Sequence, residues 1–401
     1  MKHPKPRSRR PTFVMAALLS GMAPFAASAE PRSLATAAQL RVAVDEAVQP
    51  LMRNSAVPGV AVAVTLGGEA VVFNYGLQSR EPQVPVSDQT LFELGSISKT
   101  FVATLGLYAQ EQGLLSLSDH PGQYVSALRG SRLDQATLLH LATYTAGDLP
   151  LQVPDDIRTD AQMLQYLRQV TPASRPGELR KYSNPSIGLF GQITALAMKQ
   201  DFGDAMQGTL FPKLGLHHTF IRVPPQEMSH YAWGYNSKLQ PVRVKPDVFE
   251  REAYGVKATA SDLLRFVQLN MRPDGLEPPM KAAVAGTHKA WFRAGGTIQG
   301  LGWEQYGWPV TVEALVAGNS SAMAQGSQPV TAVASDDESV RGARLYNKTG
   351  GTGGFSAYAA FVPERQIGVV ILANRSTPSS DRVTAAHAIL QRLDSLRPSL
   401  N

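Results

Sequence analysis

The sequence predicts an α/β fold of the α+β kind. An antiparallel five-stranded sheet is built from both chain ends, flanked by the terminal helices, with a mostly helical lobe inserted roughly over residues 96–200. Three observations predict it. A helical pattern and a β-branched hairpin come early in the chain, three β-rich runs and a helix close it, and helical spacing dominates between them. With 401 residues, 43% of them hydrophobic, the chain is large enough for a well-buried core in one domain, expected over residues 30–401.

Residues 1–29 stand apart from this fold. A basic start, an apolar run around Phe13–Ala26 and the small residues Ala27, Ser28 and Ala29 have the layout of a cleaved secretory signal peptide. The run is short and broken by Gly and Pro, which argues against a membrane anchor. Arg9-Arg10 fits a basic leader read by the general secretory route better than a twin-arginine signal. The leader holds Lys2, Lys5, Arg7, Arg9 and Arg10 and no acid, so its removal takes the formal charge from +6 to +1. A mature chain so close to neutral gives no case for nucleic-acid binding. Without cysteine there is no disulfide and no thiol chemistry.

The elements follow in order. Leu40–Ser55 places Leu40, Val44, Ala47, Val48, Leu51 and Met52 on one helical face, ended by Pro58-Gly59. Val60–Gly76 is two β-branched runs around Gly67-Gly68, a hairpin. Helical patterns run from Phe101 to about Met198, interrupted by loops such as TAGDLPLQVPDD. Thr259, three residues before Asp262, is an N-cap pattern opening another helix. Residues 272–283 and 313–340, rich in Gly, Pro, Ser and Ala, read as surface loops. From Arg344, RLYNKTG, FSAYAAFVP and IGVVILAN are three strands, and RVTAAHAILQRLDSL closes the chain as a helix.

Three motifs carry chemistry. In FELGSISKT, Ser96 and Lys99 are i and i+3 neighbours if a helix begins near Ser96, where the positive helix end favours an anion and an amine can activate a hydroxyl. By itself so short a motif is more often a capping serine and a solvated lysine. Tyr182-Ser183-Asn184 and Lys348-Thr349-Gly350 turn the pair into a constellation. Ser-x-x-Lys, Tyr-x-Asn and Lys-Thr-Gly, in this order, form the pattern of the penicillin-recognising serine enzymes.

On these motifs, and on LLHLATYTAGDLPLQVPDD, YSNPSIGLFG, EAYGVKATASDLLRF, QGLGWE and LYNKTGGTGGF, the mature chain resembles the class C (AmpC-type) serine β-lactamases, the cephalosporinases. The resemblance implies a β-lactamase/transpeptidase-like fold and a periplasmic, monomeric hydrolase that confers antibiotic resistance. It would act on small β-lactam substrates without a cofactor or metal. Ser96 is then the acylated nucleophile, Lys99 its proton shuttle and Tyr182 a general base. A phenol near two ammonium groups has its pKa pulled below about 10; the choice between Tyr182 and neutral Lys99 as acylation base stays open. The resemblance also places Gln152 and Asn184 at the substrate's acylamino group and Lys348 and Thr349 at its carboxylate, with Lys348 exposed at a strand end. Gly350 completes that motif. Backbone N–H groups of Ser96 and Gly351 form the oxyanion hole, with Gly351, Gly353 and Gly354 admitting close backbone approach. Tyr254 lines the side-chain pocket. Arg382 contributes weakly to the carboxylate or serves simply as a helix-start arginine.

Two positions depart from the family's pattern. Asp148 replaces its usual glycine near Gln152, and Ser379 stands near its usual asparagine. Other readings weigh less. A phosphate loop requires Gly before Lys348, where the chain has Asn347, and the eight histidines show no metal-ligand spacing. Ser-Asp-Asn of class A enzymes is replaced by Tyr-Ser-Asn. A DD-peptidase, a family VIII-like esterase or a penicillin sensor that acylates without turnover would use the same site.

Overall fold

The computed structural model describes residues 32–334 and 336–396, so the leader expected over 1–29 lies outside the described residues. A large antiparallel sheet forms the backbone of the fold. Its strands in chain order are β1 (Gly59–Leu66), β2 (Glu69–Arg80), β3 (Gln83–Pro85), β4 (Leu179–Arg180), β5 (Phe292–Ala294), β6 (Thr297–Gln299), β7 (Glu304–Gly307), β8 (Gln328–Ala332), β9 (Arg344–Gly351), β10 (Ser356–Val362) and β11 (Ile367–Ala373). The order across the sheet is β3-β2-β1-β11-β10-β9-β7-β6-β5-β8-β4. The segment β2-β1-β11-β10-β9 is the predicted five-stranded sheet from both chain ends. The prediction falls short because the sheet continues through strands of two to five residues, such as TIQ and EQYG, which are too short and polar to show a period of two.

The central strands are buried on both faces, and strand alternation divides their residues between two cores. Val60, Val62 and Val64 of β1, with Val369 and Ile371 of β11, pack under the terminal helices α1 (Arg32–Asn54) and α9 (Ser379–Ser395). Ala61, Ala63, Val370 and Leu372 face the other way, into the core shared with the helical lobe. Larger residues fill the side toward α1 and α9, and small alanines let a helix of the lobe sit close on β1.

The lobe holds α2 (Ser98–Glu111), α3 (Asn184–Ala197), α4 (Glu250–Ala253), α5 (Ala260–Met271) and α6 (Pro278–Gly286). It therefore extends well past residue 200, and the predicted loop over 272–283 ends in α6, which starts on Pro278 and Pro279. Residues 313–340 are not a loop either: α7 (Val312–Gly318), α8 (Ser321–Gln325) and β8 occupy much of them. Thr311 and Ser320 cap those two helices by accepting from Ala314 N–H and Met323 N–H, so Ser320, one of the small residues that suggested a loop, is a helix start. The predicted cap at Thr259 forms, accepting from Asp262 N–H at 3.2 Å.

Helix α2 is the axis of the lobe, buried from Ser98 through Leu107. Its Phe101 stacks on Phe266 of α5 with centroids 4.1 Å apart and meets Phe211 edge-on. Phe266 stacks on Trp303, which meets Phe361 of β10 edge-on, so a continuous aromatic row ties α2 to the sheet. The head of α2 is pressed against the end of β9. Gly95 has φ +52°, and a Cβ there would lie 2.3 Å from the Gly351 nitrogen; one on Gly350 would lie 1.9 Å from the Leu94 oxygen. Gly351 and Gly353 have no such crowding, so the glycines that close approach demands are Gly95, Gly350 and Gly354.

Phe101→Ala removes the first ring of this row from a fully buried position. It should cost about 3–5 kcal/mol of stability, read as a lowered urea midpoint with an unchanged slope.

Candidate active site

Ser96 lies in a 3₁₀ turn, Gly95–Ile97, and the α-helix starts two residues later than expected, at Ser98. Ser96 and Lys99 still meet. Lys99 Nζ donates to Ser96 Oγ at 3.0 Å and to the carbonyl of Ala253, at the end of α4, at 2.7 Å. Lys99 is 0% exposed. Burial pulls its pKa down, against the pull of the neighbouring Tyr182 in the other direction.

Tyr182 follows β4 and is placed by the start of α3, where Ser183 caps the helix by accepting from Ser186 N–H at 3.1 Å. Its ring centroid lies 5.0 Å from Lys99 Nζ and 4.9 Å from Lys348 Nζ. Burial pushes the phenol up, but the charges of Lys348 and Lys99 and the proximity of Ser96 outweigh it, and the net shift is downward. Its buried hydroxyl has no hydrogen bond of ordinary geometry among the described residues. Tyr144, its ring tilted at 51° with centroids 4.8 Å apart, packs against the Tyr182 ring.

Lys348, Thr349, Gly350 and Gly351 end β9 and line the same cleft as Ser96 and Tyr182. Lys348 is not exposed as expected: it is 3% exposed, covered through pairing of β9 with β7, whose Glu304 carboxylate lies 3.8 Å from Nζ. Asn184 and Gln152 are brought together, with Asn184 Nδ2 donating to Gln152 Oε1 at 2.7 Å. Tyr254 follows Ala253 directly and is half-buried; burial, with Asp247 and Glu250 nearby, raises its phenol to about 12.

Arg382 lines the cleft floor, yet it is neither a loose helix-start side chain nor an open carboxylate receptor. Its guanidinium is buried and donates to three backbone carbonyls, those of Ala357 (3.1 Å), Thr377 (2.9 Å) and Gly350 (3.2 Å). Burial lowers its pKa to about 10. Ser379 Oγ donates to the Asn319 carbonyl at 2.7 Å, fastening α9 to the cleft wall formed by Asn319, Met323 and Ala324. Asp148, with φ +69°, pairs with Lys181 at 3.5 Å and accepts from Ser327 Oγ.

Two charged cleft residues escaped the sequence reading. Arg180 Nη2 bonds Glu304 Oε1 at 2.8 Å while its Nε donates to Gln299 Oε1 at 2.7 Å, and the guanidinium carbon sits 5.9 Å from the Tyr182 centroid. Arg180 stands two residues before Tyr182 and Glu304 ends QGLGWE, but no spacing pairs residues so far apart in sequence.

A family model described as Beta-lactamase matches residues 44–394. The chain is 48% identical to a β-lactamase of Pseudomonas fluorescens over 358 residues, covering 89% of this chain and 100% of the relative. It is 46% identical to a β-lactamase of Lysobacter lactamgenus over 347 residues, 86% of this chain and 90% of that one. Among solved structures, a class C β-lactamase superposes with a TM-score of 0.84 at 43% identity, covering 88% and 98% of the two chains. A β-lactamase/D-alanine carboxypeptidase from Pseudomonas syringae superposes at 0.86 with 42% identity, covering 90% and 99%.

The support behind Lys99 yields a test of its own. Beside Ala253, Glu252 is buried, accepts from Gln192 Nε2 at 2.5 Å, and has its carboxyl raised by burial from 4.5 to about 7. The folded state thus keeps a proton that the unfolded chain has already released. The stability linked to that proton is complete below the unfolded pKa and is lost as pH rises through about 7. Glu252→Gln should equal wild type near pH 4 and exceed it at pH 8 by on the order of 2–3 kcal/mol, measured by urea unfolding at both pH values.

Proposed function

This chain belongs to the class C serine β-lactamases, and from that premise we propose how its residues divide the hydrolysis of cephalosporins and penicillins. The observation that carries the assignment is the Tyr182 ring set 5.0 and 4.9 Å from two lysine ammonium groups, beside a serine that already accepts a hydrogen bond from one of them. Two adjacent cations favour the phenolate, and a phenolate is a base matched to a serine hydroxyl.

In acylation, Tyr182 takes the proton of Ser96 Oγ as the oxygen bonds to the lactam carbonyl carbon. Lys99, donating to both Ser96 and the Ala253 carbonyl, offsets the negative charge on the serine and holds its position. The N–H groups of Ser96 and Gly351 receive the carbonyl oxygen as it becomes an oxyanion, a contribution of about 3–4 kcal/mol for each donor. Collapse breaks the C–N bond, and the proton passes from Tyr182 to the ring nitrogen. In deacylation, Tyr182 takes a proton from water, the hydroxide attacks the ester carbon, and Ser96 leaves with the proton returned. Lys348 and Thr349 hold the substrate carboxylate, and Gln152 and Asn184 the acylamino side chain, with Tyr254 beside that pocket. Arg382 supports the site through the Gly350 carbonyl. The leader sends the chain to the periplasm, where it acts as a monomer.

The name of the Pseudomonas syringae neighbour raises a second reading, D-alanine carboxypeptidase, with the same serine acting on a peptide. Turnover separates the two. The wild type should hydrolyse many equivalents of cephalothin, Ser96→Ala none, and Tyr182→Phe should slow both half-reactions by roughly 10²–10⁴-fold. Mass spectrometry with a slowly released β-lactam should find one adduct, on Ser96. A stoichiometric burst without turnover, or an adduct on Ser98 or Ser183, would overturn the assignment.

The pH profile tests the base. Activity rises with pH as Tyr182 ionises, and the charge of Lys348 lowers the pH at which it does so. Lys348→Met should therefore move the acidic limb of kcat/KM to higher pH. An unmoved limb would show that Lys348 does not tune Tyr182.

A further inference from the structure

The short strand Phe92–Glu93 enters the Ser96 turn carrying a buried carboxylate, Glu93, that is 1% exposed and belongs to none of the catalytic roles above. All three of its hydrogen bonds come from neutral donors: Thr352 Oγ1 at 2.5 Å to Oε2, and Tyr231 Oη at 2.6 Å and Val244 N–H at 2.7 Å to Oε1. Removing a carboxylate from water is costly unless it is fully hydrogen-bonded, and an apolar side chain in this strand would avoid that cost. The carboxylate therefore has a use beyond packing.

Its position supplies one. Glu93 lies three residues before Ser96, and Thr352 immediately follows Gly351. The bond between them joins the strand leading into the nucleophile to the turn leading out of the second oxyanion donor. Gly95 and Gly351 touch at the same place. Thr352 is half-buried, and its N–H closes the turn onto the Phe355 carbonyl at 3.0 Å. Strand pairing alone does not fix the tip of β9 beyond Gly351, because its ladder with β10 ends at Gly351–Ser356.

We propose that Glu93 is a positioning residue whose bond to Thr352 holds the Gly351 N–H in register with the Ser96 N–H, so that the oxyanion hole is formed before substrate arrives. This rests on the reading of Gly351 as an oxyanion donor. A donor displaced by a fraction of an ångström loses its hold on the transition state more than on the ground state, so the effect falls on kcat and spares KM.

Thr352→Val removes only the hydroxyl, and Thr352→Ser keeps it. Per mole of folded enzyme, Thr352→Val should lower kcat on cephalothin by about tenfold or more and weaken phenylboronic acid, whose tetrahedral adduct with Ser96 places an oxygen in the hole, by a similar factor. KM should change little, the melting temperature should fall because Glu93 Oε2 loses its donor, and Thr352→Ser should stay within about twofold of wild type in kcat and close to it in melting temperature. In the Thr352→Val background, Glu93→Gln should add little further loss of kcat, because both substitutions break one link. If Glu93→Gln fails to fold, the threonine pair still decides. Thr352→Val with wild-type kcat and boronate affinity overturns the proposal, as does equal loss in Val and Ser variants. A wild type that neither hydrolyses cephalothin nor binds the boronate fails the functional reading itself.

Discussion

The site depends on one close approach, that of the end of β9 to the turn before α2. Backbone meets backbone there, Gly350 against the Leu94 carbonyl and Gly351 against Gly95, with no space for a side chain at Gly95 or Gly350. The sheet and the helical lobe are thereby locked at the point where the nucleophile and the Lys-Thr-Gly strand must face each other. Contacts further out reinforce it. The aromatic row from Phe101 to Phe361 fixes the tilt of α2 on the sheet, and Arg382 holds the Gly350 carbonyl from beneath. A packed interior transmits strain instead of absorbing it, so misplacement in any of these layers reaches Ser96.

Charge is the second constraint. Around Tyr182 the cleft gathers Lys99, Lys348 and Arg180 against Glu304, the one carboxylate lining it among the described residues, which Arg180 bonds at 2.8 Å and Lys348 approaches at 3.8 Å. This leaves two positive charges to be matched. On the proposed roles, a phenolate at Tyr182 and the carboxylate of a bound β-lactam match them, so the arrangement favours both the active form of the base and the occupied form of the site. Glu304 keeps the surplus from growing larger, which would hold back protonation of the departing nitrogen by the phenol. Lys99, buried and donating to Ser96 Oγ and the Ala253 carbonyl, has its pKa pulled down by burial, which favours its discharge during proton transfer.

What could be read from the sequence follows the distance over which each feature is encoded. Ser96 with Lys99, Tyr182 with Asn184, and Lys348 with Thr349 stand within three residues of each other, and their motifs are legible without tertiary information. The five central strands are legible for the same reason, each being a run of seven or more residues with β-branched or aromatic content. The outer strands and the helices over 312–325 are not, because two to seven residues hold too few periods to rise above composition. Arg180–Glu304 and Glu93–Thr352 join residues 124 and 259 apart, pairings that only the folded topology creates. Lys348 illustrates the same gap. Its exposure was misjudged because the strand that covers it, β7, is itself invisible in the sequence.

Asp148 shows how a departure from a family pattern is absorbed. At φ +69° a residue other than glycine costs about 1–2 kcal/mol, although aspartate tolerates the conformation better than most. That cost is offset by what the side chain reaches. Lys181, next to Tyr182, and Ser327, next to the first residue of β8, both bond its carboxylate. Strands β4 and β8 share a ladder of only two residue pairs, Arg180 with Gln328 and Leu179 with Pro329. Asp148 extends that weak ladder by one side-chain crosslink and steadies the segment that delivers Arg180 and Tyr182 to the cleft. In the fold, Asp148 is a brace for the segment that carries Tyr182.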